Sequence, residues 1–508
     1  MQLHVQRYPG GGSSGVRAYL DAGAEKRARP RRAAATGSAA DTTPIPLHNV
    51  QMNSDSTPPV PQDETHVAYK TGNPFIAIAA ANDYVANDMA IMRTTDGGRT
   101  WSTYRQTPEY FPTRDACTAS DPWLAYSLRD RAFYLVTLCF FRSAAPSEVQ
   151  VWKSVDDGVT WTPSRLASVP ATNFNASSGT TDASVFLDNN QIVVDNNPAS
   201  PHYGRIYVTY VKFHLQPSGL SDFCPVQLSY TDAIPTLNPQ STLWRHTPVV
   251  PDDPAGRGVG EGANQWPRPQ VAPNGNLDVT YALEDCNSGI DRGLRFQQSR
   301  SGGASFMAHP VRINKPGQFR DNPDPADLLP PTAFRAPLSP SLDVNQRTGT
   351  LTYLYQNNVN RAHSGADISE QQSRDGGSTW TDMQFVATQD GHPARNDQFF
   401  PAVDSSPNGL LSAIWFDRRR DPANHDIDTW QAISTNDGRN WRQFRISTRS
   451  WNPDESFFTC GCFIGDYTGL AVANQAMYPV WTDGRRSAID RTGIGETDIF
   501  TNVEVGPR

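Results

Sequence analysis

The stretch Ser373-Arg374-Asp375-Gly376-Gly377-Ser378-Thr379-Trp380 decides the fold, because its frame returns along the chain. An Asp side chain at the third position can accept hydrogen bonds from nearby backbone N–H groups, and a Gly at the fifth provides a positive φ without steric cost. The Thr hydroxyl closes the loop, and the Trp starts the next strand with a large apolar side chain. The same frame occurs at 94–101, 154–161 and 434–441, and in weaker form at 299–306. Five copies of one turn predict a repeat protein.

The spacing of the copies gives the length of the repeat. Asp96 and Asp156 are 60 residues apart, and Asp375 and Asn436 are 61 apart. The interval from Asp156 to the weak copy at 299–306 is about twice as long, so we infer a lost copy, with a remnant at 229–232. Three short β-branched and aromatic segments precede each turn and one follows it, for example 161–166 in the second repeat. We therefore predict an all-β fold, a single β-propeller of four-stranded antiparallel blades.

In this propeller each repeated turn joins the third strand of a blade to the fourth. After the sixth copy, residues 463–505 supply three more strands and the chain ends. The segment 45–52, upstream of the first blade, has no partner strand there. As the missing fourth strand it would complete the last blade and close the ring without an open edge. We predict seven blades over residues 45–508, with six as the alternative if the third blade is misassigned.

Composition and charge limit the classes of partner that the protein can have and the compartment where it is expected. The net charge is −8 and no run of 18 apolar residues occurs, so the sequence predicts no nucleic-acid partner and no membrane span. Residues 1–44 carry a basic cluster at 27–32 and lack the apolar core of a signal peptide, and we predict a disordered tail. The expected protein is a secreted or cell-envelope monomer.

The six cysteines are all predicted on the face opposite the repeated turns. Cys117 and Cys139 fall on adjacent strands, and Cys224 and Cys286 in loops of neighbouring blades, so both pairs are disulfide candidates. The remaining two, at 460 and 462, are too close for an unstrained bridge. Since no zinc-like spacing occurs, we predict no metal and no cofactor. A calcium site at 421–428 has no EF-hand spacing to support it.

The repeated turn is the Asp-box, or BNR repeat, and residues 45–508 resemble the Asp-box β-propellers, the superfamily that contains the sialidases. The resemblance implies a carbohydrate-active protein, an exo-acting glycoside hydrolase on acidic sugars. It also implies that the turn residues Asp96, Asp156, Asp375 and Asn436 are structural. Sialidases open with a Phe/Tyr-Arg-Ile-Pro segment, where this chain has Glu64-Thr65-His66-Val67.

The family mechanism implies a Tyr nucleophile activated by a Glu, an Asp acid/base and three arginines that hold the substrate carboxylate. The matching positions are Tyr467 and Glu261 for the first pair and Asp83 or Asp88 for the acid/base. The arginine candidates are Arg268, Arg335 and Arg395, and Trp266 offers an aromatic face for a sugar ring.

Two alternatives stay open at the level of sequence. Asp83 and Asp88 belong to a second repeat of acids at strand ends, which also suits a blade-stabilising network. The whole propeller could be a non-catalytic binding platform, or a uronate polysaccharide lyase that uses a His or Tyr base. His66, His363, His392 and Tyr467 are the candidates for that base.

Overall fold

The computed structural model describes most of the chain beyond residue 47. The described ranges are 48–54, 60–84, 88–141, 145–163, 166–217, 221–250, 262–286, 288–322, 327–329, 334–360, 365–455, 463–486 and 495–505. The predictions for the N-terminal tail, for Glu261, for His363 and for the cysteines at 460 and 462 lie outside these ranges.

The described residues form a ring of seven four-stranded antiparallel blades, which confirms the predicted seven-bladed propeller. Blade 1 contains Gln62–Lys70, Asn73–Asp83, Asp88–Thr94 and Ser102–Gln106, and blade 2 contains Thr118–Ser127, Ala132–Phe140, Ser147–Ser154 and Ser168–Thr172. Blade 3 contains Val185–Val194, Ile206–Leu215, Val226–Thr231 and Arg245–Pro248, and blade 4 contains Asn264–Val271, Leu277–Glu284, Asp291–Ser299 and Val311–Arg312. Blade 5 contains Ser341–Val344, Leu351–Asn357, Asp367–Ser373 and Gln384–Phe385, and blade 6 contains Gln398–Ser405, Leu411–Asp417, Asp428–Ser434 and Arg442–Arg445.

Blade 7 is built from both ends of the chain. Its first three strands are Gly469–Val472, Ala476–Asp483 and Asp498–Asn502, and Asn49–Gln51 pairs antiparallel with the last of these. The first strands of successive blades pack on one another around the ring, including blade 7 on blade 1. The ring is therefore closed by strand pairing within one blade, which leaves no exposed edge between the first and last blades.

The repeated turns have the hydrogen bonds that their sequence predicts. In the blade 5 copy, Asp375 Oδ1 accepts from the backbone N–H of Thr379 at 2.9 Å and its Oδ2 accepts from the Thr379 hydroxyl at 2.6 Å. The N–H of Gly377 donates to the Ser373 hydroxyl at 2.8 Å. Gly377 has a φ of +84°, and a Cβ there would meet the Phe296 ring of the preceding blade at 2.0 Å. The turn thus needs glycine both for its backbone and for packing between blades.

The outermost strands differ most from the sequence prediction. In blade 2 the strand is Ser168–Thr172, and the prediction of 161–166 is wrong. Thr162 still donates its N–H to the Lys153 carbonyl, but Pro163 follows and has no N–H to continue a ladder. In blades 4 and 5 the outer strands shrink to Val311–Arg312 and Gln384–Phe385. An outermost strand pairs with a single neighbour within its blade, so its first and last residues are difficult to predict from local sequence.

The remaining elements are short. The described part of the chain has 3₁₀ turns at Pro239–Ser241 and Pro453–Glu455. Disulfides join Cys117 to Cys139, the pair predicted from adjacent strands, and Cys224 to Cys286, the pair predicted from loops of neighbouring blades. Within the described ranges, no helix has the length and apolar character needed to cross a membrane.

Candidate functional site at the propeller axis

A left-handed residue lies in the first half of every innermost strand or up to four residues before it. Its φ is +54° at Glu64, +56° at Asp121 and +54° at Phe400, and +90° at Gly465. The other three positions are Asn189, Trp266 and Ser339. The register of the first two strands shifts at this point in five of the blades. A bulge of this kind turns the side chains that follow it in a new direction.

In four blades, the side chain two positions after the left-handed residue belongs to one cluster around the axis. The rings of His66 and Trp123, from blades 1 and 2, stack with centroids 3.9 Å apart, and the Tyr467 ring of blade 7 lies 5.5 Å from Trp123. The Arg268 guanidinium of blade 4 lies 5.4 Å from the Trp123 ring. His66 and Trp123 are half-buried. The strand starts lie at the opposite end of each blade from the repeated turns, because antiparallel strands alternate in direction.

His66 is a neutral member of this cluster. The backbone N–H of Leu124 donates to its Nδ1 at 3.1 Å, so the proton of the imidazole is on Nε2. Burial, with a smaller contribution from the nearby Arg268 charge, lowers the pKa of His66 to about 3. At neutral pH the ring therefore offers an aromatic face and one N–H donor.

Four buried carboxyl groups surround the aromatic cluster. They are Asp63 and Glu64 of blade 1, Asp121 of blade 2 and Asp466 of blade 7. The Asn82 side chain donates to Glu64 at 2.7 Å and to Asp63 at 3.2 Å. Burial raises the pKa of Asp121, and hydrogen bonds with Ser120 and Glu64 act in the opposite direction.

These carboxyl groups are held in a weakly acidic state. Burial, followed by the charges of Asp121 and Asp466, raises the pKa of Glu64 well above its ordinary value. Burial also raises the pKa of Asp466 to about 7, against the opposing effect of Arg335. A carboxylic acid with a raised pKa holds its proton to higher pH and can donate it, which is the property of a general acid.

Arg335 reaches the axis from a long connection between blades 4 and 5. The short strands Leu328–Leu329 and Phe334–Arg335 pair as a hairpin, and the Phe334 ring lies 5.1 Å from Phe399 of blade 6. This placement brings Arg335 Nη1 within 2.5 Å of Asp466 Oδ1, and Nη2 within 3.9 Å of Asp327. Arg335 and Asp466 thus form a buried ion pair at the axis.

Tyr467 lies beside these groups with its hydroxyl unsatisfied. The residue is 9% exposed, and its hydroxyl has no hydrogen-bond partner among the described residues. Burial, then the charges of Asp121 and Glu64, raises the pKa of the phenol well above 10. A buried hydroxyl normally has a partner, so this one points to a ligand or a water.

The other predicted site residues are placed elsewhere or engaged. Arg395 is exposed in the loop before blade 6, where its carbonyl accepts a hydrogen bond from Gln398. Trp266 is buried as the left-handed residue of blade 4, beside the Arg268 guanidinium at 5.9 Å. Of the predicted set, the structure therefore brings Tyr467, Arg268 and Arg335 together.

Asp83 and Asp88 face each other across the second and third strands of blade 1. Asp83 forms an ion pair with Arg105 of the outermost strand at 2.6 Å. The same position in blade 6 is Asp417, which accepts from the Trp415 indole and from Arg419, both at 2.8 Å. A contact of this type in several blades favours the structural interpretation of the repeated acids.

The loop before the third strand of blade 6 contains Asp421, His425 and Asp426 close enough to share an ion. His425 donates to Asp426 at 2.8 Å and to Asp454 at 3.1 Å, and these bonds raise its pKa to about 9. A protonated imidazole has no free lone pair for a metal. The group is an ion-pair network that ties two loops together.

Sequence reasoning missed Asp63, Glu64, Asp121 and Trp123. A signal was present, because a proline follows the left-handed residue in four blades, at 122, 267, 340 and 401. Proline restricts the residue before it, so a dipeptide repeated at blade spacing marks a special backbone position. The acids themselves carry no local pattern.

No protein-family model and no curated protein matches the sequence. Among solved structures the chain is similar to the Hadza microbial sialidase Hz136, at 13% identity over 85% of this chain and 74% of that one, with a TM-score of 0.45. It is similar to an alpha-L-arabinanase of Penicillium chrysogenum complexed with arabinobiose, at 12% identity over 91% and 100%, with a TM-score of 0.44. It is also similar to the phage phi92 endosialidase, at 12% identity over 91% of this chain and 70% of that one, with a TM-score of 0.48. Similarity at this level carries no argument about activity.

Proposed function

We propose that the protein is a carbohydrate-active enzyme, a glycoside hydrolase whose sugar binds at the axis on the face opposite the repeated turns. The observation that carries this proposal is the unsatisfied hydroxyl of Tyr467, buried among carboxyl groups beside the stacked His66 and Trp123 rings. Aromatic faces and a few convergent polar groups are the usual parts of a sugar site.

The chemistry follows from the two kinds of acidic group. Tyr467 is the nucleophile, and Asp121 accepts its proton, since a phenol with a raised pKa needs an adjacent base. Glu64, whose pKa is raised by burial, gives a proton to the leaving oxygen. Asp121 thus takes the role that the sequence assigns to Glu261, which lies outside the described residues, and Glu64 takes the role assigned to Asp83 or Asp88.

A uronate lyase has less support at this site. It would need an arginine free to neutralise the substrate carboxylate, and Arg335 is already paired with Asp466. A binding platform without turnover would use the same aromatic surface, and the experiment separates it from an enzyme.

The test is release of 4-methylumbelliferone from a panel of glycosides by the wild type, Tyr467→Phe and Tyr203→Phe. Tyr203 is a half-buried tyrosine in the turn between the first two strands of blade 3, so it is the matched control. We expect Tyr467→Phe to lower kcat/KM by at least about 100-fold, as for the loss of a reacting group, and the control to be unchanged. Binding of a glycoside without release would favour the platform, and full activity of Tyr467→Phe would contradict this nucleophile.

A further inference from the structure

We propose that the axial site takes an uncharged sugar and discriminates against sugars that carry a carboxylate. This inference rests on the proposed function and gives its substrate class. It departs from the expectation of an acidic substrate, which depended on three free arginines converging in one pocket.

The first reason is that Arg335 is already occupied by the protein. Its Nη1 lies 2.5 Å from Asp466 and its Nη2 lies 3.9 Å from Asp327. The side chains of Arg335 and Asp466 are 10% and 6% exposed. A guanidinium that grips a substrate carboxylate presents two parallel N–H donors to it, and here an internal carboxylate holds one of those donors. A carboxylate sugar would have to displace Asp466 and leave that charge buried without its partner.

The second reason is that the Arg268 guanidinium is already hydrogen-bonded within the protein. Its Nε donates to the carbonyl of Pro340, and its Nη1 donates to the carbonyl of Pro267 at 3.3 Å and to Asn189 Oδ1 at 3.4 Å. Its Nη2 donates to the Ser339 hydroxyl at 3.4 Å. Arg268 therefore links Asn189 and Ser339, the left-handed residues of blades 3 and 5, which makes it a positioning residue. Arg395, the third candidate, is exposed in the loop before blade 6.

The groups that remain for a ligand suit hydroxyl groups. Asp121, Glu64 and Asp63 offer carboxyl oxygens, and Tyr467 offers a buried hydroxyl that has no partner among the described residues. Sugar hydroxyls donate to carboxylates and accept from a phenol, so an uncharged sugar can satisfy both kinds of group. A second carboxylate beside Asp121 would instead add like-charge repulsion at short range.

The test compares matched substrates. Wild-type protein is given the 4-methylumbelliferyl α- and β-glycosides of arabinofuranose, xylose, galactose and glucose, against the glucuronide, the galacturonide and the sialoside. Turnover is followed by fluorescence, and binding of uncleaved glycosides by saturation-transfer NMR. We expect the best uncharged glycoside to exceed every acidic one by at least about tenfold, the size of one polar mismatch.

A variant probes the cause of the discrimination. Asp466→Asn removes the charge that holds Arg335, so the ratio of acidic to uncharged glycoside binding should rise by about tenfold. The control is Asp382→Asn, which makes the same charge change at an exposed ion pair with Lys315. An unchanged ratio in a folded Asp466→Asn protein would contradict the role of the ion pair.

The outcomes separate this inference from the proposed function. Preference of the wild type for the sialoside or a uronide would overturn the inference and leave the proposed function standing. Absence of binding and turnover with every glycoside would overturn both. The wild-type comparison decides the question even if Asp466→Asn does not fold.

Discussion

The closure of the ring can be tested through one asparagine. Asn53 follows the closing strand and is 8% exposed. Its Nδ2 donates to Gln62 Oε1 of blade 1 and to Asp498 Oδ1 of blade 7, both at 2.7 Å, and its Oδ1 accepts from the buried N–H of Ile499 at 2.8 Å. One side chain thus joins the closing segment to the two blades that meet at the seam.

Asn53→Ala should lower the free energy of unfolding by about 2–4 kcal/mol. About 1–3 kcal/mol comes from the buried N–H of Ile499 left without an acceptor, and about 1 kcal/mol from the lost bonds to Gln62 and Asp498. Unfolding entropy of about 2.1 cal/mol/K per residue gives roughly 1 kcal/mol/K for a propeller of this size, so Tm should fall by about 2–4 °C.

The assay is thermal unfolding followed by circular dichroism, with Asn274→Ala as the control. Asn274 is exposed and accepts one N–H, from Asn276 at 3.0 Å, within a turn of blade 4. The control should stay within about 0.5 °C of the wild type, because surface substitutions rarely cost more. Equal Tm values for the two variants would refute the closure of the ring by this segment.

The other predictions concern the turns, a histidine and the disulfides. Asp375→Ala should cost about 1 kcal/mol of stability, because the exposed turn loses three bonds that water partly replaces, and it should leave sugar binding unchanged; lost binding at unchanged Tm would place the repeated turns on the wrong face. His425 has a folded pKa of about 9, above its ordinary 6.5, so its stabilisation is fully present below pH 6.5 and is lost as the pH rises through 9. Chemical denaturation should show His425→Gln costing more at pH 6 than at pH 10, by an amount on the order of 1 kcal/mol after solvent screening, and a constant cost would be contrary to this ion pair. Removing the Cys224–Cys286 disulfide, with a sequence separation of 62, should lower the free energy of unfolding by about 4 kcal/mol. Removing Cys117–Cys139, with a separation of 22, should lower it by about 3 kcal/mol. A larger fall in Tm for Cys117–Cys139 would count against the chain-entropy explanation.

The fold could be predicted because its determinants are local and repeated. The turn at 373–380 specifies its own hydrogen bonds within eight residues, and each copy fixes where a third strand ends. Seven blades follow from the spacing of the copies. The error at 161–166 arose where a strand on the rim has a single neighbour and Pro163 ends the local pattern.

The candidate site could be predicted only in part, because it is assembled across blades. Tyr467 was found from its position late in the chain, but Glu64 and Asp121 approach it from blades 1 and 2. Their backbone has a positive φ, which non-glycine residues rarely adopt, so propensity gave no indication of it. Arg335 was predicted as a free ligand and is an ion-pair partner of Asp466, since a hairpin from a distant connection carries it to the axis. Contacts of this range are set by topology.

The most direct test of the axial site is a double-mutant cycle on kcat/KM with the best glycoside of the panel. The variants are Tyr467→Phe, Glu64→Gln and the double variant, each checked for an unchanged circular dichroism spectrum. If the phenol and the carboxyl act as one unit, each single variant should lose at least about 100-fold and the double variant little more. Losses that multiply, or a Glu64→Gln protein with wild-type turnover, would contradict the proposed catalytic pair.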